Sequence, residues 1–195
     1  MKKTKKIILA SASPRRRELL RAMGIRFSVI KSDYKEDLSL KMKPKELAVY
    51  LSGGKAKAAA QKHKGAIIIA ADTFIILGVK LLGKPHTEEE ARKMLRALSG
   101  RRHSVITGFT ILDSDTGKSY SKAVETRVWF KKLSLEEIDA YVKTKEPLDK
   151  AGGYAIQGRG AVLVRRIEGD YFNVIGLPLY ALSEGLKKFG IRVLH

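Results

Sequence analysis

Three consecutive arginines, Arg15, Arg16 and Arg17, follow Ser13 and Pro14 in "LASASPRRRELLRAMG". Ser13 is a good N-cap, and Pro14 suits the first helical position, where an N–H would have no partner. Leu19, Leu20 and Met23 then form one apolar stripe, and Gly24 supplies a stop. The arginines therefore fall in the first turn of a helix, where the macrodipole repels cations unless an anion is held among them. On a helical wheel Arg16 lies near the centre of the buried face and Arg15 near its edge, whereas Arg17, Glu18 and Arg21 point away. Two guanidinium forks, the free N–H groups of the first turn and the Ser11 hydroxyl make a phosphate site; solvation, or pairing with acids elsewhere, is the alternative. The segment "HTEEEARKMLRALSGRRH" shows the ordinary arrangement instead, with Thr87 as cap, Glu88, Glu89 and Glu90 in the first turn, and Glu90 completing a capping box.

A second constellation is "IIIAADTF". Asp72 follows an apolar strand, so its carboxylate must sit at a strand end, be paired, or hold a cation; a turn with Thr73 is the plainer alternative. The chain has no cysteine, and His63, His86, His103 and His195 show no ligand spacing. Any metal would then be a hard, oxygen-bound ion such as Mg²⁺. Lys55 in "SGGKAKAAA" and Lys84 in "GKP" stand out by context, although each alone reads as a surface charge. "GGKA" lacks the final Ser/Thr of a P-loop and has Val49 at the place of its first glycine. The glycine-rich segment around Gln157 presents an amide that could read the edge of a base.

The elements that must position these groups alternate. Strands are expected at Lys6 to Leu9, Phe27 to Ile30, Ala66 to Ala71 with extended chain to Leu82, Val105 to Leu112, Ser119 to Phe130 and Val162 to Ile167. Helices are expected after Ser13, from Pro44 to His63, after Thr87, from Ser134 to Val142 and from Leu177 to Lys188. "DKAGGYAIQGRGA" reads as a loop. Such a mixture, without repeats or a linker, indicates an α/β domain.

At 195 residues, 44% of them hydrophobic, the chain can bury about 70% of its unfolded surface. Its longest apolar run is broken by Asp72, Thr73, glycines and lysines, so no membrane span is expected, and neither is a signal peptide. With no cysteine either, a cytoplasmic soluble protein is the default expectation. The 39 Lys and Arg against 20 Asp and Glu leave a net charge of +19. The charges are spread over the length and aromatics reach only 7%, so nucleic acid is not expected as the main partner.

Taken together and in order from residue 9 to residue 179, "LASASPRRRELL", "AADT", "GKP", "MLRALSGRRHSVITG", "DKAGGYAIQG" and "GDYFNVIGLPL" resemble the Maf family of nucleoside triphosphate pyrophosphatases. The resemblance implies a single α/β domain over residues 1–195, with an elongated mixed sheet flanked by helices and two lobes around a deep cleft, similar to inosine triphosphate pyrophosphatases. It implies hydrolysis of a nucleoside triphosphate to the monophosphate and pyrophosphate with a divalent cation, Mg²⁺ or Mn²⁺, and leaves a homodimer open. By the same resemblance Arg15, Arg16 and Ser11 contact the triphosphate, Lys55 and Lys84 bind phosphates, and Asp72 is the catalytic carboxylate. Glu36 in "YKED" joins Asp72 as a metal ligand, although Asp33 and Asp37 share its loop. Arg15, Thr73 and Gln157 match the branch acting on dTTP and UTP, and a Gln amide complements the carbonyl and N3–H of thymine or uracil. The branch acting on 7-methyl-GTP is the runner-up, and a basic nucleic-acid-binding protein the alternative of another class. The chain departs from many relatives at Gly83, where they carry Glu before the Lys-Pro pair.

Overall fold

The computed structural model describes residues 5–37 and 39–194; His195 lies outside them. The first half forms β1 (Lys6–Ala10), α1 (Pro14–Ala22), β2 (Ser28–Ile30), α2 (Pro44–Lys62), β3 (Ala66–Leu77), β4 (Lys80–Leu82) and α3 (Glu88–Leu98). The second half forms β5 (Arg102–Asp113), β6 (Ser119–Phe130), α4 (Leu135–Lys143), β7 (Val164–Glu168), α5 (Tyr171–Ile175) and α6 (Leu179–Lys187).

Local chemistry sets most of the ends. The Ser13 Oγ accepts from the Arg16 N–H at 3.5 Å, Leu19, Leu20 and Met23 are buried, and Gly24 takes the left-handed turn at φ 70° that follows α1. Ser134 and Glu137 complete a capping box on α4. On α3 the Thr87 Oγ1 accepts from the Glu90 N–H at 3.1 Å, but the Glu90 carboxylate accepts from the His86 N–H rather than from that of Thr87. The expected box is thus shifted one residue upstream.

Sheet order is β2-β1-β3-β5-β6-β7, with β4 paired to β3. β1 runs parallel to both β2 and β3, with Ile8 opposite Ser28 on one side and Ile68 on the other. Parallel neighbours require crossover connections, which contain α1 and α2, and the apolar runs of β1 and β3 suit strands covered on both faces. β4 folds back antiparallel on β3, and β7 antiparallel on β6. This is the mixed sheet with helices that the sequence leads one to expect. The last strand starts at Val164 rather than Val162, because the chain after Gly158, at φ 69°, winds as a 3₁₀ turn through Leu163. That turn buries Leu163 and leaves Val162 69% exposed. The short helix α5 is an element the apolar periodicity does not announce. Among the described residues no helix is long and apolar enough to cross a membrane.

The chain divides into two compact units: one comprises the chain through Asp72, Thr107–Val124 and the chain from Gly176, and the other Thr73–Ile106 with Glu125–Ile175. In the first, Ala56, Ala59 and Ala60 of α2 pack with Ile8, Ala10, Ile68, Ala70 and Leu112. Small side chains let the helix approach the sheet closely, and Gly108 marks the limit. A Cβ there would lie 2.2 Å from the Ala48 carbonyl carbon and 2.3 Å from its oxygen. Because backbone, not a mobile side chain, blocks the space, Gly108→Ala is expected to cost about 3 kcal/mol. The check is thermal unfolding, with a Tm roughly 10 °C below wild type.

The second unit packs Leu95 and Leu98 of α3 and Ile138, Tyr141 and Val142 of α4 with Val128, Phe130 and Tyr154. Inside it, the His103 ring meets Phe130 and Tyr154 edge-on at 5.1 and 5.4 Å, and its Nε2 hydrogen-bonds the Tyr154 hydroxyl at 2.7 Å. Burial pushes the imidazole down to about 4. The folded protein therefore holds His103 neutral, whereas the unfolded chain protonates it from about 6.5 downward. Its contribution is whole above about pH 6.5 and is lost as the pH falls toward 4, in all about 3 kcal/mol. Denaturant titrations across that window are expected to show a flatter pH dependence in His103→Gln, which cannot titrate.

Candidate active site

Strand β1 ends at Ala10 and delivers Ser11 to the mouth of α1. Ser11 is buried, and its Oγ accepts from the Ser13 N–H at 3.3 Å and from Arg16 Nη1 at 3.2 Å. Arg16 leans inward as its helical position predicts. Its Nε donates to the Gly176 carbonyl and its Nη1 to the Ala71 carbonyl, each at 2.8 Å. Burial lowers its pKa first, with Arg15 acting in the same direction and Asp72 and Glu36 opposing. The guanidinium is thus a cation fixed against backbone at the helix mouth. Arg15 is half-buried beside it. Arg17 differs from expectation: it is also half-buried, and its Nε is buried without a hydrogen-bond partner among the described residues.

Asp72 lies inside β3, whose pairing continues to Leu77, so it neither ends the strand nor makes a turn with Thr73. Of the alternatives left open for its carboxylate, pairing is realised. Lys55 Nζ, from the middle of α2, donates to Asp72 Oδ1 at 2.5 Å. The same ammonium meets Glu36 Oε1 at 2.7 Å. Lys55 is 8% and Asp72 7% exposed, so the lysine is a buried counterion rather than the surface charge its context suggests. Glu36, at 43%, keeps a side open to solvent. Asp33 is instead drawn to Lys62, at 2.5 Å, and Asp37 accepts from Ser39 within the loop. Glu36 is therefore the acid of "YKED" that the fold brings to Lys55 and Asp72.

The first unit thus gathers Ser11, Arg15, Arg16, Glu36, Lys55 and Asp72. Thr73, Lys84 and Gln157 belong to the second. Thr73 is half-buried on β3; Lys84 and Gln157 are exposed. The "GKP" segment is tied to the glycine-rich segment by the Gly152 N–H, which donates to the Gly83 carbonyl at 2.8 Å. Pro85 packs near Gly153, 3.6 Å from where a Cβ would stand.

Sequence reasoning misses the acceptors that fix Arg16. Backbone carbonyls carry no side-chain signature, although "GDYFNVIGLPL" contains one of them. Gly176, at φ 124°, adopts a conformation that L side chains rarely reach, and follows α5. That helix is anchored by the buried Asn173, whose Nδ2 donates to the Val105 carbonyl at 3.1 Å and to Thr126 Oγ1 at 3.0 Å.

Two carboxylates converging on one cation supply hard oxygen donors, the chemistry a Mg²⁺ or Mn²⁺ site requires, with the remaining positions left to water and phosphate. Among the described residues no third His, Cys, Asp or Glu joins such a group. Cations at a helix mouth beside this acid pair suit a polyphosphate bearing its own metal ion.

A family model described as Maf-like protein matches residues 6–189. A dTTP/UTP pyrophosphatase of Methanosarcina barkeri is 51% identical over 190 residues, covering 97% of this chain and 96% of that protein. Another, from Bacillus cereus, is 44% identical over 191 residues, covering 98% and 93%. Among solved structures, a HAM1 protein from Coxiella burnetii aligns with a TM-score of 0.54 at 16% identity, covering 95% of this chain and all of that one. That likeness concerns the fold alone.

Proposed function

This chain belongs to the Maf family, and on that premise we propose that it hydrolyses dTTP and UTP to their monophosphates and pyrophosphate. The observation that carries the reading is the buried Lys55 ammonium between Glu36 and Asp72, beside the arginine-bearing mouth of α1. The names of the relatives at 51% and 44% identity support the same substrates.

Phosphate oxygens are received by Arg15 and by the N–H groups that open α1, which answers the dipole conflict of the arginine helix. Arg16, held by the Gly176 and Ala71 carbonyls, contributes positive potential with little reorganisation. Glu36 and Asp72 would hold the Mg²⁺ or Mn²⁺, which when bound neutralises phosphate charge. Asp72 orients a water toward the α-phosphorus and accepts its proton. The water oxygen bonds to that phosphorus while the bond to the bridging oxygen of the β-phosphate breaks, and pyrophosphate leaves. Lys55 and Lys84 offset the charge that grows on the leaving group.

Base choice rests on Gln157, with Thr73 and Arg15. Its amide offers a donor and an acceptor to the pyrimidine edge. Assays of pyrophosphate release from dTTP, UTP, CTP, dATP, GTP and 7-methyl-GTP, with and without Mg²⁺, test the proposal. Metal-dependent release from dTTP and UTP above the others is expected. Gln157→Glu is expected to lower kcat/KM for dTTP roughly tenfold or more and to erase that ranking, because a carboxylate cannot donate to a base carbonyl. Release from 7-methyl-GTP alone would overturn the specificity, and an unchanged ranking in Gln157→Glu would remove the base-reading role.

A further inference from the structure

The loop carrying Glu36 is polar, yet its carboxylate must meet a buried lysine. The ion pairs that tie it to α2 are weak restraints. Asp33 and Lys62 are each 65% exposed, and Glu36 is 43% exposed, so solvent screens both contacts. A third contact is of another kind. The Tyr34 ring lies flat against Gly54 of α2: a Cβ built on Gly54 would stand 2.3 Å from the ring's Cζ, 2.5 Å from Cε2 and 2.8 Å from Cε1. The ring therefore occupies a seat on α2 that exists only because residue 54 has no side chain. Tyr34 on Gly54 and Glu36 on Lys55 are two steps along the loop landing on adjacent residues of the helix.

We infer that Tyr34, seated on Gly54, is a positioning residue that holds Glu36 at Lys55 and Asp72, and so sets the metal requirement of the reaction. The inference rests on the reading of Glu36 as a metal-holding acid. Tyr34 does not touch the reacting atoms. Among the described residues it joins the ion pairs of Asp33 and Glu36 in holding this segment to α2.

Gly54→Ala separates positioning from folding. The three atoms nearest the new methyl group all belong to the far end of a loop side chain, which can swing out, and alanine is the better helix former. The variant is expected to fold with a Tm at or above that of wild type. Its amides 32–37 are expected to lose protection from hydrogen exchange, measured in the metal-free, nucleotide-free enzyme. Its Mn²⁺ affinity by calorimetry is expected to fall about tenfold, with a matching rise in the Mg²⁺ needed for half-maximal turnover. Tyr34→Ala should reproduce these changes, adding Gly54→Ala to it should add nothing, and Tyr34→Phe, which keeps the ring, should retain loop protection.

Wild-type exchange and metal affinity in Gly54→Ala would overturn the inference. So would lost protection with an unaltered metal requirement. Glu36→Gln then locates the fault: normal metal affinity in that variant means that Glu36 does not hold the metal, whereas weakened affinity means that Glu36 reaches its place without Tyr34.

Discussion

Asp72→Asn is expected to lower the turnover of dTTP by a factor of order 10² or more while nucleotide binding survives. The exchange keeps the volume of a side chain that is 7% exposed inside β3, so packing is undisturbed. The amide carbonyl can still accept from Lys55 Nζ, and Glu36 still meets the same ammonium. What disappears is the negative charge and the capacity to take a proton from water. Single-turnover assays paired with calorimetric titration of dTTP separate the two effects. A Kd within a few-fold of wild type and a collapsed rate would place Asp72 in the chemical step. Near-normal turnover would remove it from the mechanism.

The second large effect is at Lys55. In Lys55→Met the stem is roughly retained and the charge is lost, so Asp72 is left buried without its closest cation, and Glu36 loses its partner. Breaking one side of a buried pair costs about 3 kcal/mol, and the Tm is expected to fall by roughly 10 °C. Arg16 still acts on Asp72 through space and limits the damage. Activity is expected to fall further than stability explains, by about 10²- to 10³-fold in kcat/KM, because the same ammonium is proposed to stabilise the departing pyrophosphate. Assays well below the variant's melting temperature distinguish the effects. A loss smaller than tenfold in folded protein would reduce Lys55 to a structural counterion.

What could be read in the chain divides along the range of the forces involved. The cap at Ser13, the stripe of Leu19, Leu20 and Met23 and the turn at Gly24 depend on residues within one or two turns, and all appear as expected. The inward lean of Arg16 follows from helical geometry alone. That Asp72 pairs with Lys55 in particular is not legible, for a reciprocal reason. Each is improbable in a core by itself, and each is admitted by the other, at positions 17 residues apart in sequence. The continuation of β3 past Asp72 follows from that neutralisation. The Gly176 and Ala71 carbonyls and the seat of Tyr34 on Gly54 were invisible because backbone acceptors and missing Cβ atoms have no pattern until the chain is folded. Gly108, pressed on Ala48, belongs to the same class.

The most direct measurement is hydrolysis of dTTP by the wild-type enzyme in heavy-oxygen water with Mg²⁺, followed by phosphorus NMR of the products. Attack by an Asp72-directed water on the α-phosphorus predicts that the label enters dTMP, that none enters pyrophosphate, and that both products become scarce with Asp72→Asn. Label in pyrophosphate, or release of orthophosphate in place of pyrophosphate, would contradict the account.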